Sequence, residues 1–209
     1  MAVRPAWSVK DNKVVRKDFD FKWISGLSAS QKMKNADSLH DSIKSATGET
    51  VLEVSSKGRE ELGVGLSAFN LKYKGYYLEN IFQSSKNFSG VGTLPQLLEI
   101  PPKEAKEAVK YYMHNGLESF IWDGVEWPLT PKTAFYDYIY VSAVVEKYGK
   151  DLDLSAYTWF TDIEFNPAKS INCQARALAI YKLLQSLGDF SALKGKEEWI
   201  EFHKKNVPG

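Results

Sequence analysis

The sequence predicts an α+β protein that is predominantly helical, has a few short strands and forms a single domain over residues 1–209. Three observations predict this fold class. Hydrophobic residues make up 44% of the chain and aromatic residues 13%, which is enough for a sizeable core. Short stretches alternate polar and apolar residues as strands do, and longer stretches lie between helix-capping and helix-stopping residues. A chain of 209 residues fits one domain.

The N-terminal part is predicted to contain strands and one helix. Residues 1–24 are the most basic part of the chain, and residues 18–23 alternate polar and apolar side chains as in a half-buried strand. These cations indicate either a solvated edge strand or a contact to phosphate. Ser30 is the expected N-cap of a helix to residue 46, which Gly48 ends, and residues 51–55 are predicted as a strand.

The remainder is predicted to be mainly helical. Gly75 interrupts the chain before a helix that extends to residue 88, and Asp123-Gly124 marks a turn. The later predicted helices cover residues 103–114 after Pro101-Pro102, residues 131–147, residues 170–187 with Ser170 as cap and Gly188 as stop, and residues 196–205. Lysines at positions 103, 106 and 110 share one side of their helix and are predicted to be solvated surface.

Composition excludes several classes of protein. The 27 basic and 26 acidic residues leave a formal charge of +1, which does not support a long footprint on a nucleic-acid backbone. Cys173 is the only cysteine, so an internal disulfide is excluded and a reducing compartment is favoured. We expect a cytoplasmic protein without a metal, a cofactor or a membrane segment, because the three histidines are scattered and no apolar run is long enough.

The candidate catalytic cluster is a set of three polar residues in the predicted helix that follows Gly75. Glu79, Gln83 and Lys86 stand at i, i+4 and i+7, which spans about 60° of arc on a helix. This spacing indicates one polar face that flanks a small ring. An acidic residue early in a helix and a basic one late also suit the helix dipole, so a purely structural interpretation stays open.

Two further segments contain candidate binding residues. The stretch from Asp162 through Glu164 to Asn166 presents carboxylates and an amide before a predicted helix, where they can bind ribose hydroxyls or serve only as turn residues. Asn172 and Arg176 share a helical face, and Arg176 either grips a pyrophosphate or pairs with a buried carboxylate. No dinucleotide-binding, Walker or nucleophile-elbow motif is present, which argues against those enzyme classes.

Aromatic residues are abundant near the predicted turn and helix at residues 123–147. Trp127 and Phe135 are candidates for stacking on a base, together with Trp122 and Tyr136. Packing in the core is the alternative for each of them. The sequence alone does not separate the two roles.

Two blocks, LSAFNLKYKGYYLENIFQSSKNF and DIEFNPAKSINCQARALAIYKLL, resemble the NADAR family, which includes the YbiA-like proteins. The first block matches a Ser-x-Phe segment followed by Glu-x-x-Phe-Gln and a Lys seven residues after the Glu. The matching residues are Ser67, Phe69, Glu79, Phe82, Gln83 and Lys86. The second block supplies an acidic loop at Asp162 and a helix that begins near Asn172, although EFNPAKS replaces the glycine-rich loop of YbiA-like members.

The resemblance implies hydrolysis of an N-glycosidic bond between ADP-ribose and guanine, in DNA or alternatively in RNA or a nucleotide. ADP-ribose would be the product, and a DarT-like toxin would be the functional partner of such an antitoxin. Glu79 would then stabilise positive charge on the ribose or move protons. Lys86 would anchor substrate oxygens or attack the sugar carbon, and Asp162 would bind ribose or the catalytic water. Gln83 would orient a hydroxyl or the base.

The same resemblance implies substrate contacts from the segment Ser67, Phe69 and Asn70. Two other functions remain open at this point. One is a small-molecule N-glycosidase in riboflavin or nucleotide metabolism. The other is a sensor that binds ADP-ribose or an NAD derivative without turnover.

Overall fold

The computed structural model describes residues 1–26 and 28–208, with 45% helix and 20% strand, which confirms the predicted α+β class. The strands of the described residues are β1 (Ala2–Lys10), β2 (Lys13–Phe21), β3 (Val51–Glu53), β4 (Lys72–Tyr73), β5 (Tyr76–Tyr77), β6 (Lys86–Phe88), β7 (Leu117–Trp122), β8 (Val125–Trp127) and β9 (Trp159–Thr161). The helices are α1 (Ala29–Thr47), α2 (Glu61–Gly65), α3 (Leu78–Ser84), α4 (Pro102–Ala108), α5 (Ala134–Tyr148), α6 (Gln174–Leu187) and α7 (Lys196–Asn206).

The main sheet has the strand order β2-β1-β9-β3 and lies between helices on both faces. Strand β1 is antiparallel to β2 and β9, whereas β3 is parallel to β9. Because successive side chains of a strand point to opposite faces, Ala6 packs with the residues of α1 while Trp7 packs with those of α5 and α6. Both faces of the sheet are therefore buried.

A three-stranded sheet, β6-β7-β8, and the buried helix α5 form the second part of the main core. Helix α5 is apolar on nearly every side, and its aromatic rings stack on those of neighbouring elements. A separate small cluster supports α4 and consists of Phe88, Leu94, Leu97, Ala105 and Val109. Asn80 of α3 ties this cluster to the main core by donating to the carbonyls of Leu97 and Ile100, at 2.6 and 2.7 Å.

The predicted N-terminal strand is the edge strand β2, but the sequence did not indicate its partner β1. Pro5 argues against a strand in the interior of a sheet because it lacks the N–H that a second neighbour needs. The structure accommodates Pro5 because β9 pairs only with Ala6 and Trp7 of β1. Pro5 itself pairs with β2 alone, opposite Asp18.

Several predicted helix limits differ from the structure. Ser28, not Ser30, caps α1, and it forms a capping box with Gln31. Gly48 ends α1 in the left-handed region, as predicted. Ser170 is not a helix cap, because α6 begins at Gln174. The helix predicted over residues 103–114 ends at Ala108 and continues as a 3₁₀ helix to Asn115.

A buried ion-pair network joins α5, α6 and α7 and corrects the assignment of Arg176 to substrate binding. The Arg176 guanidinium donates to Asp137 Oδ1 at 3.0 Å, and Nε2 of His203 lies 2.9 Å from Asp137 Oδ2. Burial opposes ionisation of Asp137, but Arg176 and His203 outweigh it and lower its pKa. Arg176 therefore has the structural role that its sequence left open, since its charge is paired inside the core.

Replacing Arg176 with Met should lower the free energy of unfolding by about 3–5 kcal/mol, because Asp137 would keep a buried charge without its main partner. The contribution of Arg176 is present above about pH 4, the usual Asp value, and is lost as the pH falls through the lowered pKa of folded Asp137. Chemical denaturation at pH 7 and pH 3 measures both effects.

Arg59→Met is the matched control, since Arg59 pairs with Asp37 on the surface, at 2.6 Å, where solvent screens the charges. If Arg176→Met lowered the free energy of unfolding as little as Arg59→Met, the structural role of Arg176 would be contradicted.

Candidate active site

A cleft of about 1220 Å³ lies between α3, α4, α6 and the loop that follows β9. Its walls carry both acidic and basic groups. The acidic lining residues are Glu79, Asp162 and Glu164. The lysines that line it are Lys32, Lys57, Lys86, Lys103, Lys106, Lys132 and Lys169. We refer to it as the lysine-rich cleft.

Glu79 lies in the first turn of α3 and is only 5% exposed. Gln83, one turn later, donates its Nε2 to Glu79 Oε1 at 2.8 Å, as the i, i+4 spacing predicted. Lys106 of α4 brings its Nζ within 3.9 Å of the same oxygen. The backbone N–H of Glu79 donates to the carbonyl of Ala68 at 3.2 Å. The carboxylate is thus held from two sides and points into the cleft.

Lys86 lines the same cleft but does not belong to the helix of Glu79, so the predicted single helical face was wrong. Helix α3 ends at Ser84 because the next residues join a sheet. The carbonyl of Ser85 accepts from the N–H of Ile121 at 2.7 Å, and Lys86 pairs with Phe120 of β7. The Lys86 ammonium lies 5.0 Å from the Phe82 ring centre. Burial lowers the pKa of Lys86 to about 8, with Glu79 opposing and Lys106 adding to the shift.

Asp162 follows the last residue of β9 and is a turn residue that also lines the cleft. Its Oδ1 accepts from the backbone N–H groups of Glu164 and Phe165, at 3.1 and 3.2 Å, which makes it a turn residue. Its Oδ2 accepts from Nε2 of Gln174 at 3.0 Å, and the residue also lines the cleft. Burial and the nearby charge of Glu53 raise the pKa of Asp162.

Glu53 of β3 forms hydrogen bonds to the end of β9 and thereby fixes the position of Asp162. Its buried carboxylate accepts from Ser55 Oγ at 2.6 Å, from Thr161 Oγ1 at 2.8 Å and from the Ile163 N–H at 2.7 Å. The bonds from Thr161 and Ile163 link β3 to the residues on both sides of Asp162. The backbone of the acidic loop is therefore fixed before the cleft-lining residues begin.

The structure separates Glu164 and Asn166, which the sequence grouped together. Glu164 lines the cleft and pairs with Lys32 of α1 at 2.7 Å. Burial works against its ionisation, but Lys32 prevails and lowers the pKa of Glu164. Asn166 does not line the cleft. Its side chain accepts from the Ala168 N–H at 3.0 Å, so the structure corrects its assignment from substrate contact to turn residue.

The segment of residues 67–70 brings two of its three candidate residues to the cleft. Phe69 and Asn70 line it, and the ammonium of Lys106 lies 5.4 Å from the Phe69 ring centre. Ser67 is fully buried and does not line the cleft. Its carbonyl accepts from Asn70 and Leu71 at 2.8 Å, which shows that Ser67 shapes the turn. The substrate contact assigned to Ser67 is therefore corrected.

Trp127 and Phe135 belong to the core, which corrects their assignment as stacking residues. They are 3% and 1% exposed, and their ring centres lie 5.6 Å apart. Phe135 also stacks on Phe120 at 4.8 Å. The aromatic residues that do reach the cleft are Phe69, Phe82, Phe120, Tyr136 and Phe165.

Two amide oxygens in the cleft lack hydrogen-bond partners although they are buried: Oε1 of Gln83 and Oδ1 of Asn172. Gln83 is 4% exposed, and its Nε2 is already committed to Glu79. Its Oε1 is therefore a buried acceptor without a protein partner, next to Glu79. Oδ1 of Asn172, another residue that lines the cleft, is the second.

Most of the lysines of the cleft and Gln174 were not predicted as site residues from the sequence. Lys103 and Lys106 were visible as a stripe but were assigned to solvent, and the structure shows that both line the cleft. A lysine stripe on a short helix has the same pattern whether it faces bulk solvent or a neighbouring wall. Gln174 gave no signal, because its two partners are distant in sequence.

Comparison with protein families identifies the class of this chain. The family model described as DarT1-associated NADAR antitoxin matches residues 2–207. The chain therefore belongs to the family of DarT1-associated NADAR antitoxins, whose description associates its members with a DarT1 toxin. No curated protein matches the sequence.

Residues 1–26 and 28–208 lack two features, a helix that could span a membrane and a cluster of metal ligands. None of the helices there is both long and apolar enough to span a membrane. That same part of the chain contains no group of three His, Cys, Asp or Glu side chains arranged to hold a metal ion.

The electrostatic surroundings of Lys86 give opposite expectations for two substitutions. Glu79→Gln removes the negative charge that stabilises the ammonium and should move the pKa of Lys86 below about 8. Lys106→Met removes a positive charge and should raise it. Acetylation of Lys86 by acetic anhydride as a function of pH, quantified by mass spectrometry, measures the midpoint. Lys103→Met, also on α4, is the control and should change the pKa of Lys86 less than Lys106→Met does. Shifts in the same direction for Glu79→Gln and Lys106→Met would refute this account.

Proposed function

We propose that this protein is an ADP-ribosyl glycohydrolase that hydrolyses the N-glycosidic bond between ADP-ribose and guanine in nucleic acid, with DNA as the expected polymer. One observation carries the proposal: a single cleft contains Glu79 of α3, Lys86 of β6 and Asp162 after β9, surrounded by lysines. Its volume of about 1220 Å³ exceeds the roughly 300–1000 Å³ typical of small-molecule sites. A large, anionic nucleotide conjugate fits this combination.

The lysines supply charge for a pyrophosphate and for flanking phosphates. Seven lysines against three carboxylates leave the lining positive, although the chain as a whole is nearly neutral. A cleft of one sign of charge raises the local concentration of an oppositely charged substrate. Binding should therefore weaken as salt increases, since each phosphate contact releases counterions.

Glu79 is the proposed electrostatic group. Cleavage of a ribosyl C–N bond builds positive, oxocarbenium-like charge at the anomeric carbon, which a nearby carboxylate stabilises. Gln83 holds this carboxylate in one orientation through the 2.8 Å bond to Oε1. Burial of Glu79 strengthens its effect, because fewer water molecules screen the charge.

Lys86 is the proposed nucleophile, because burial leaves its pKa at about 8, so that roughly one amine in four is neutral at pH 7.5. The neutral amine forms a bond to the anomeric carbon while the glycosidic C–N bond breaks. The electron pair of that bond leaves with the guanine nitrogen, and the proton lost from the new ammonium balances the one that guanine gains. Ring opening gives an imine, which water hydrolyses to ADP-ribose and the free amine.

Recognition of guanine is proposed for the unpaired amide oxygens. Guanine carries N–H donors, and Gln83 Oε1 is a buried acceptor beside Glu79. Asp162 would bind a ribose hydroxyl or the attacking water. Removing an acceptor from a site built for a donor costs more than losing apolar contact, because the donor is then left unpaired.

Glu79→Gln keeps the shape of the side chain and removes its charge, so release of ADP-ribose from ADP-ribosylated guanine oligonucleotide should fall roughly 100- to 1000-fold. Chromatographic separation of the products measures the rate. Glu118→Gln on β7 is an exposed control with the same chemistry and should retain wild-type activity. Equal rates for Glu79→Gln and the wild type would end the electrostatic assignment.

Modified mononucleotide and free NAD, run in parallel, distinguish a small-molecule N-glycosidase from a nucleic-acid enzyme.

Borohydride reduction during turnover should trap the sugar on Lys86 as a stable secondary amine that mass spectrometry locates. Lys86→Met should abolish the adduct, whereas Lys132→Met, another lysine of the cleft, should retain it. Turnover without an adduct, in an assay validated on a known Schiff-base enzyme, would assign Lys86 to anchoring the substrate instead.

A further inference from the structure

Gln174, the first residue of α6, links the carboxylate of Asp162 to the backbone segment that holds the first turn of α3, where Glu79 lies. The Glu79 N–H donates to the Ala68 carbonyl at 3.2 Å, and the Ala68 N–H donates to Gln174 Oε1 at 2.5 Å. The Nε2 of Gln174 then donates to Asp162 Oδ2 at 3.0 Å. The backbone of Ala68 and the side-chain amide of Gln174 thus connect the main chain at Glu79 with the carboxylate of Asp162, which is distant in sequence.

The orientation of the Gln174 amide follows from its partners. The Ala68 N–H is a donor only, so the amide atom that faces it must be the oxygen. The amino group therefore faces Asp162 and presents a donor to it. Together with the Glu164 and Phe165 N–H groups, Gln174 gives the Asp162 carboxylate three donors.

We propose that Gln174 is a positioning residue that sets the spacing between Glu79 and Asp162 and keeps Asp162 as a hydrogen-bond acceptor in the cleft. The proposal rests on the proposed glycohydrolase activity for its kinetic consequence only. Gln174 itself is 8% exposed, and both polar ends of its amide are occupied by protein groups. It acts through Asp162 and through the turn that contains Phe69 and Asn70.

The donor from Gln174 matters because most of the surroundings of Asp162 disfavour its charge. Burial and the charges of Glu53 and Glu164 all raise its pKa, whereas the Gln174 bond lowers it. The titratable and charged groups that face Asp162 are Glu53 on β3, Arg4 on β1, Tyr136 and Tyr140 on α5, Glu164 in its own loop and Cys173 before α6.

Gln174→Glu is the sharpest test. The new carboxylate still accepts from the Ala68 N–H but cannot donate to Asp162, so the two acids would compete for one proton. The protonation midpoint of Asp162, followed by ¹³C NMR of the labelled carboxyl carbon and assigned with Asp162→Asn, should rise by about one pH unit or more. The kcat should fall roughly 100-fold with KM nearly unchanged, and the acidic limb of its pH profile should move upward.

Gln174→Met removes both hydrogen bonds without adding charge, so it should also raise the protonation midpoint of Asp162 and lower kcat. It replaces Gln174→Glu as the test if that variant folds poorly. Gln185→Glu is the matched control on the same helix. Its amide donates to the carbonyls of Lys150 and Leu152, at 3.0 and 2.9 Å, away from the cleft. It should lose thermal stability while the Asp162 midpoint and kcat stay at wild-type values.

An unchanged midpoint and unchanged kcat in both Gln174 variants, with a stability loss like that of Gln185→Glu, would show a purely structural residue and overturn the proposal. Absence of turnover by the wild type would instead refute the proposed function. The NMR midpoint would then decide the role of Gln174 alone.

Discussion

The buried carboxylate of Glu53 is the constraint on which the geometry of the cleft depends. It crosses from β3 to β9 and accepts hydrogen bonds on both sides of Asp162. A buried carboxylate is costly unless its oxygens are satisfied, and here three protein donors satisfy them. The same group places negative charge beside Asp162 and raises its pKa. The fold thus disfavours ionisation of Asp162, and the neighbouring N–H donors offset part of this cost.

Local sequence patterns predicted the parts of the site that depend on neighbours in the chain. Glu79 and Gln83 are one helical turn apart, and the structure joins them by a hydrogen bond. The fold class and the end of α1 at Gly48 also follow from local signals. Lys86 was placed on the wrong element because pairing with Phe120, a distant residue, converts the chain from helix to strand after Ser84. Periodicity contains no information about such a partner.

The remaining errors have the same origin in long-range contacts. Arg176 has one sequence environment that suits either a phosphate or a buried acid, and only the position of Asp137 on α5 decides between them. The lysines of the cleft come from segments scattered between residues 32 and 169, so the positive lining is invisible in a net charge of +1. Trp127 and Phe135 belong to an aromatic stack whose other members lie on different elements. Convergence of distant segments, not composition, determines which polar groups reach the cleft.

Helix α4, which supplies Lys103 and Lys106 to one wall, packs on α3 and on a small cluster of its own. That cluster consists of Phe88, Leu94, Leu97, Ala105 and Val109. Hydrogen bonds of the Asn80 side chain and of the Leu94 N–H join it to α3. Regions with their own small core open at a lower free energy than the whole molecule. The width of the cleft on this side is therefore governed by a local equilibrium, so hydrogen exchange in α4 should report on the entrance while the amides of α5 report on global unfolding.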